Sequence, residues 1–229
     1  IGNLGLAALW HLDETDGTPV EETLSGTTGT FNGTYEAEGK FDNALSFSHF
    51  QSNRVGIPHF PALDVSSFTI SLWLYPTGNF NGPNATIAGR AGGDAAPYRV
   101  RMFGDFNTAL GLQILKAGGL EGSPTISIPG QVTVNEWNHL AFTYDAATGL
   151  ITSYANGRVV DVEETGAGGL IIDDALGFEM MGTPGSGYVG GRLDEVALFG
   201  RPLSTIEIDN LYQRGVASIR FQVAVEQTG

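Results

Sequence analysis

The chain has 229 residues, 33 of them Gly, no Cys, and 11 basic against 25 acidic side chains for a formal net charge of −14. That length suits one large all-β domain able to bury its own core without a disulfide or metal staple. The charge argues against binding phosphate backbones or anionic lipid, and the missing Cys excludes disulfides, thiolate zinc sites and cysteine nucleophiles.

Taken in chain order, Leu4 to Leu12 reads as a first strand, followed by a polar, Gly- and Thr-rich loop from Asp13 to Thr30. Phe41 to Phe47 is a second strand, with Phe41, Leu45 and Phe47 on one face. In Phe68 to Tyr75 the residues Phe68, Ile70, Leu72 and Leu74 alternate with Thr69, Ser71, Trp73 and Tyr75. The aliphatic side should face the core, and the Trp73 side a second apolar layer in preference to a ligand groove. Asn79 to Pro83 is a turn. Short strands follow at Thr86–Arg90, Tyr98–Phe103, Leu110–Leu115 and Thr125–Ile128. Trp137–Tyr144 and Leu150–Ala155 flank a hairpin loop, and Asn156-Gly157 turns the chain into Arg158–Val162, since both residues tolerate positive φ. Ala175–Met181 and Gly187–Phe199 complete the strand series.

One helix is expected after Pro202, with Ser204 as N-cap, Glu207 closing a capping box and Gly215 as the stop. A last strand is expected from Ser218 to Val225. Turn signals recurring every ten residues or so favour a sandwich over an α/β fold. The expected architecture is an all-β, two-sheet antiparallel jelly-roll sandwich with one short C-terminal helix. It spans residues 1–215, with 216–229 as an extension that forms an extra edge strand or starts a neighbouring domain.

Several segments carry a family resemblance, in order. They are Leu9-Trp10-His11-Leu12-Asp13-Glu14, Gly39-Lys40-Phe41-Asp42-Asn43-Ala44-Leu45-Ser46-Phe47, Phe68 through Pro76, Trp137-Asn138-His139-Leu140-Ala141 and Tyr154-Ala155-Asn156-Gly157. The closing run Gly190-Gly191-Arg192-Leu193-Asp194-Glu195-Val196-Ala197-Leu198-Phe199 completes the set. Together they resemble the laminin-G-like jelly roll of the concanavalin A-like lectin/glucanase superfamily over residues 4 to 215. The resemblance specifies a scaffold that hosts many activities.

It also implies a structural calcium ion where the first loop meets the last strand, with Asp13 and Asp194 as carboxylate ligands and carbonyls near Gly39 as further oxygens. The competing reading has Asp13 closing an Asx turn and Asp194 paired with Arg192 or Arg201. Glycoside hydrolysis needs two carboxylates flanking one bond. Glu207-Ile208-Asp209 opens the Glu-x-Asp-x-Glu pattern of laminarinase-type relatives but lacks its second Glu, and Glu163-Glu164 and Asp173-Asp174 read as solvated surface. No catalytic residue is therefore assigned. The four histidines His11, His49, His59 and His139 show no metal spacing, and His139 reads as a hydrogen-bonded structural imidazole.

For sugar stacking, Phe80, Tyr98, Phe103, Phe106 and Tyr188 are candidate aromatics, with no basis in spacing to choose among them. No run is long and apolar enough to span a bilayer, and no basic-then-apolar leader opens the sequence; any signal peptide is expected to have been removed or to lie in a larger precursor.

The expectation is a noncatalytic extracellular or cell-surface recognition module, bound to glycan or to a surface protein and set within a larger multidomain chain. An adhesive spacer without a small ligand is the alternative, and a glycoside hydrolase the third reading.

Overall fold

The computed structural model describes residues 5–15, 17–81, 84–103, 109–127 and 130–226. Among these the chain forms strands β1 (Leu6–Trp10), β2 (Val20–Glu21), β3 (Thr28–Phe31), β4 (Thr34–Glu38), β5 (Asn43–Phe47), β6 (Val55–Ile57), β7 (Phe68–Asn81), β8 (Thr86–Arg90) and β9 (Tyr98–Phe103). It continues with β10 (Ala109–Lys116), β11 (Gly119–Ser127), β12 (Asn138–Asp145), β13 (Leu150–Ala155), β14 (Arg158–Glu164), β15 (Phe178–Met180), β16 (Gly182–Thr183) and β17 (Gly187–Phe199), then helix α1 (Thr205–Glu226). All the pairings are antiparallel and make two sheets. One runs β14-β13-β12-β7-β17-β5-β4 with β1 and β16 also on β17, and the other β11-β10-β9-β8-β15-β6-β3-β2. This is the expected jelly-roll sandwich.

Strand β7 shows why the layers form. Phe68, Ile70, Leu72 and Leu74 are wholly buried between the sheets, where successive side chains of one parity must point. Each such burial stabilises the fold by about 1.5–3 kcal/mol. Aromatic pairs bridge the gap between sheets: Trp10 of β1 stacks on Phe178 of β15 at 4.7 Å, and Phe68 lies 4.6 Å from Tyr98 of β9. Asn156 and Gly157 take φ of 51° and 78°, as the two-residue hairpin requires.

The opposite face of β7 is covered by α1. Ala141, Tyr154, Ala197, Phe199, Leu203 and Ile208 form a second apolar cluster, with Leu6, Leu9 and Leu211 at its edge. The second layer expected for the Trp73 face is therefore real: Trp73 stacks on Tyr212 of the helix at 6.0 Å. The entry to α1 is fixed by side chains. Thr69 Oγ1 donates to the Arg201 carbonyl and accepts from Leu203 N–H. Ser204 and Glu207 complete the reciprocal capping box, with Arg201 on the Glu207 carboxylate.

Three expectations are corrected. The helix is not short and does not stop at Gly215; it runs 22 residues to Glu226. The run expected as an edge strand, 218–225, is helical, because once a capped helix is nucleated each added residue gains a backbone bond at little further cost. Gly215 serves close approach instead. A Cβ there would stand inside the van der Waals shell of Trp73 Cζ2 and 2.9 Å from Lys40 Cε. The span expected as a loop, Asp13–Thr30, holds the short strand β2 and most of β3, whose two and four residues are too few for a periodic signal.

Candidate functional site

The site lies on the outer face of the larger sheet, beside α1, where β17 changes neighbours. One edge of β17 pairs with β5 up to Leu193 and with β1 from Val196. On its other edge Asp194 faces Trp73 while Ala197 faces Ser71, so one extra residue bulges out between them. Glu195 sits in that bulge at φ +50°, and Leu12 and Asp42 nearby take φ of +65° and +42°. Left-handed backbone at non-Gly residues costs free energy and gathers where a site over-determines it.

Asp194 is fully buried. Its Oδ2 accepts the Lys40 and Phe41 backbone N–H groups at 2.7 and 2.9 Å, and its Oδ1 is buried with no hydrogen-bond partner. Burial pushes the carboxyl up to about 7, against the pull of those two N–H groups, and the charges of Glu195 and Asp13 add to the rise. Asp13 Oδ1 accepts Asn43 N–H at 3.0 Å, and burial raises its carboxyl too. The two aspartates thus meet at one loop, residues 39–43, from opposite ends of the chain. Asp194 is not held by either arginine considered from sequence: Arg192 reaches the Glu38 carbonyl and Arg201 reaches Glu207.

Around this pair stand further ionisable groups. Burial lowers the Lys40 ammonium to about 8, with Asp194 partly offsetting it; its Nζ lies 4.2 Å from the Trp73 ring centroid. His11 Nδ1 is 2.6 Å from Glu195 Oε1. Burial alone would lower that imidazole, but the bond and charge of Glu195, with Asp13 and Asp194, outweigh it and raise it. His139 is 1% exposed and shares a 2.9 Å hydrogen bond with Ser71 Oγ. Burial, then the Lys40 charge, holds it near 3, so it stays neutral, a structural imidazole as read from sequence.

Beside these groups, between β1, β17, β7, β12 and α1, lies an open groove of about 510 Å³. Leu9, Ala197, Phe199 and Leu211 supply apolar surface, Trp73 and Phe41 aromatic surface, and His11, Asp13, Asp42, Glu195 and Arg214 convergent polar groups.

Of the aromatics proposed from sequence, the two whose side chains are described, Tyr98 and Tyr188, do not line the groove. Tyr98 is wholly buried, its hydroxyl donating to the Leu63 carbonyl, so it cannot meet a ligand. Tyr188 is half-buried, with its ring packed over Gly182. The side chains of Phe80 and Phe103, and all of Phe106, lie outside the described residues. The signal that could have found Phe41 and Trp73 was their place in the two resembling segments that border Asp194.

The Glu207-Ile208-Asp209 run is on the helix, with Glu207 held well below the usual carboxylate range by Arg201 and the Ser204 cap. Asp173 and Asp174 are exposed, as expected of solvated surface.

Fold and site define the class of protein: a jelly-roll sandwich with a polar-and-aromatic groove on one outer face. Residues 50–209 match the laminin-G-type family of the Concanavalin A-like lectin/glucanases superfamily, and the chain belongs to that superfamily. Among curated proteins none matches it by sequence.

Solved structures share the fold. Domain 4 of AbnA, a GH43 extracellular arabinanase from Geobacillus stearothermophilus solved with arabinotriose, superposes at TM-score 0.65 with 18% identity, over 90% of this chain and 98% of that one. The receptor-binding domain of botulinum neurotoxin mosaic serotype C/D gives 0.69 with 12% identity, over 91% and 50%. The binding domain of botulinum neurotoxin DC in complex with SialylT gives 0.65 with 15% identity, over 93% and 52%. The chain thus spans about half the length of the toxin binding domains it matches.

Proposed function

We propose that this domain is a noncatalytic extracellular recognition module that binds glycan in the groove beside α1. The observation that carries the reading is the groove's make-up. Carboxylates, an imidazole and a guanidinium converge on a cavity with aromatic surface, the combination that hydrogen-bonds sugar hydroxyls and packs against their C–H faces. The AbnA domain supports it, since a domain of matching length on the same fold was solved with a saccharide. The noncatalytic part rests on the carboxylates' engagements. Glu195 is tied to His11, Asp194 to two backbone N–H groups, and Glu207 to the helix cap.

A glycan array tests the reading. Signal on the parent and its loss in Glu195→Ala and Phe41→Ala, with melting temperature held, is the expected result. A blank array from folded protein, together with tight capture of a protein partner, would favour the adhesive spacer. Release of reducing sugar that is lost on changing Glu195 would favour a hydrolase.

The structural calcium ion belongs to the same reading. Asp194 Oδ1 is a buried oxygen in want of a cation or a proton, and Asp13 converges on the same loop, so the donors suit a hard cation. Among the described residues no three His, Cys, Asp or Glu side chains cluster as a metal site, so backbone oxygens would have to complete the shell. Bound there, the ion would neutralise Asp13 and Asp194 and tie residues 39–43 to β17. Chelation should lower the melting temperature of the parent and leave Asp194→Asn unmoved; no change in the parent would remove the ion from the account.

A further inference from the structure

We propose that the groove selects uncharged saccharides and rejects those carrying carboxylates, an inference that rests on the groove being the sugar site. Three acidic side chains, Asp13, Asp42 and Glu195, line it, with the buried Asp194 close behind Asp13 and Glu195. The cations that face them are fewer. Arg214 lines the rim on α1, Lys40 is 4% exposed and turned onto Trp73, and His11 is bonded to Glu195.

Two of the lining carboxylates, Asp42 and Glu195, stand on residues with left-handed backbone, so the fold sets them beside the cavity at a conformational cost. Carboxylates accept hydrogen bonds from sugar hydroxyls and repel a uronate or sialate brought within a few ångströms. The net charge of −14 adds a long-range repulsion of the same sign.

The test is binding of matched pairs, once with calcium and once with chelator, since Asp42 and Glu195 keep their charge in both: lactose against sialyllactose, and arabino-oligosaccharides against oligogalacturonides of equal length. The neutral member of each pair should bind about tenfold more tightly or better. Glu195→Gln and Asp42→Asn should narrow the gap, and so should raised salt, because the discrimination is Coulombic. An acidic member that binds as tightly as its neutral partner, or more tightly, overturns the selectivity while leaving glycan binding intact. Failure of every saccharide to bind the folded parent overturns both.

Discussion

The two faces of β7 make a controlled comparison within one strand. On one side Phe68, Ile70, Leu72 and Leu74 belong to the main hydrophobic core between the sheets. On the other, Trp73 is as well buried, yet it is packed with Lys40, His139 and the helix, one strand away from Asp194. Burying ionisable groups is costly unless they are paired, and His139 Nδ1 and Asp194 Oδ1 are buried without a hydrogen-bond partner. The inner face is spent on stability, whereas the outer face keeps strained backbone and desolvated ionisable groups beside an open groove. Variants on the two sides should therefore behave differently, in size and above all in dependence on pH and cation.

The largest effect belongs to the interior. Phe142→Ala empties a fully buried ring site and should cost about 3–5 kcal/mol by urea denaturation, with the same loss at acid and neutral pH. Gly215→Ala comes next. The new Cβ must push α1 off Trp73, for about 1–3 kcal/mol, and should weaken groove binding at the same time.

Asp194→Asn should show the opposite sign. A carboxyl raised from 3.8 to about 7 in the folded protein makes the native state hold more protons than the unfolded one between those values. Parent stability therefore falls as pH rises through that window and stays lower above it. Asn keeps an acceptor for the Lys40 and Phe41 N–H groups without the charge. In chelator it should be more stable than the parent by on the order of 2 kcal/mol near pH 8 and equal to it near pH 4. A difference that does not change with pH would separate Asp194 from this account. The smallest effect is Ser204→Ala, about 1 kcal/mol from loss of the capping box, read as a shift in thermal midpoint.

Strand β7 was legible because alternation is a local signal, β13 because hairpin loops bound it, and β17 because its run carries the family resemblance. The capping box was legible because its two residues are three apart. The meeting of Asp13 and Asp194 at one loop followed from the ordered resemblance, since it placed the first and last strands side by side. The groove was not legible. Its polar members come from the loop after β1, the loop before β5, β17 and α1, and nothing in their spacing along the chain marks them as one surface. Gly215 misled for a related reason: a Gly that ends a helix and a Gly that lets a helix approach a Trp look the same in sequence. Tyr98 misled because it sits at a strand end, where exposure is the usual outcome, yet its hydroxyl finds the Leu63 carbonyl in the interior.

The most direct measurement follows the three tryptophan indole N–H resonances, those of Trp10, Trp73 and Trp137, while a neutral oligosaccharide is titrated in. The account predicts that the Trp73 signal moves in a saturable way and that of Trp10, sealed between the sheets, stays put. Saturable binding that leaves Trp73 unmoved would place the sugar elsewhere and contradict it.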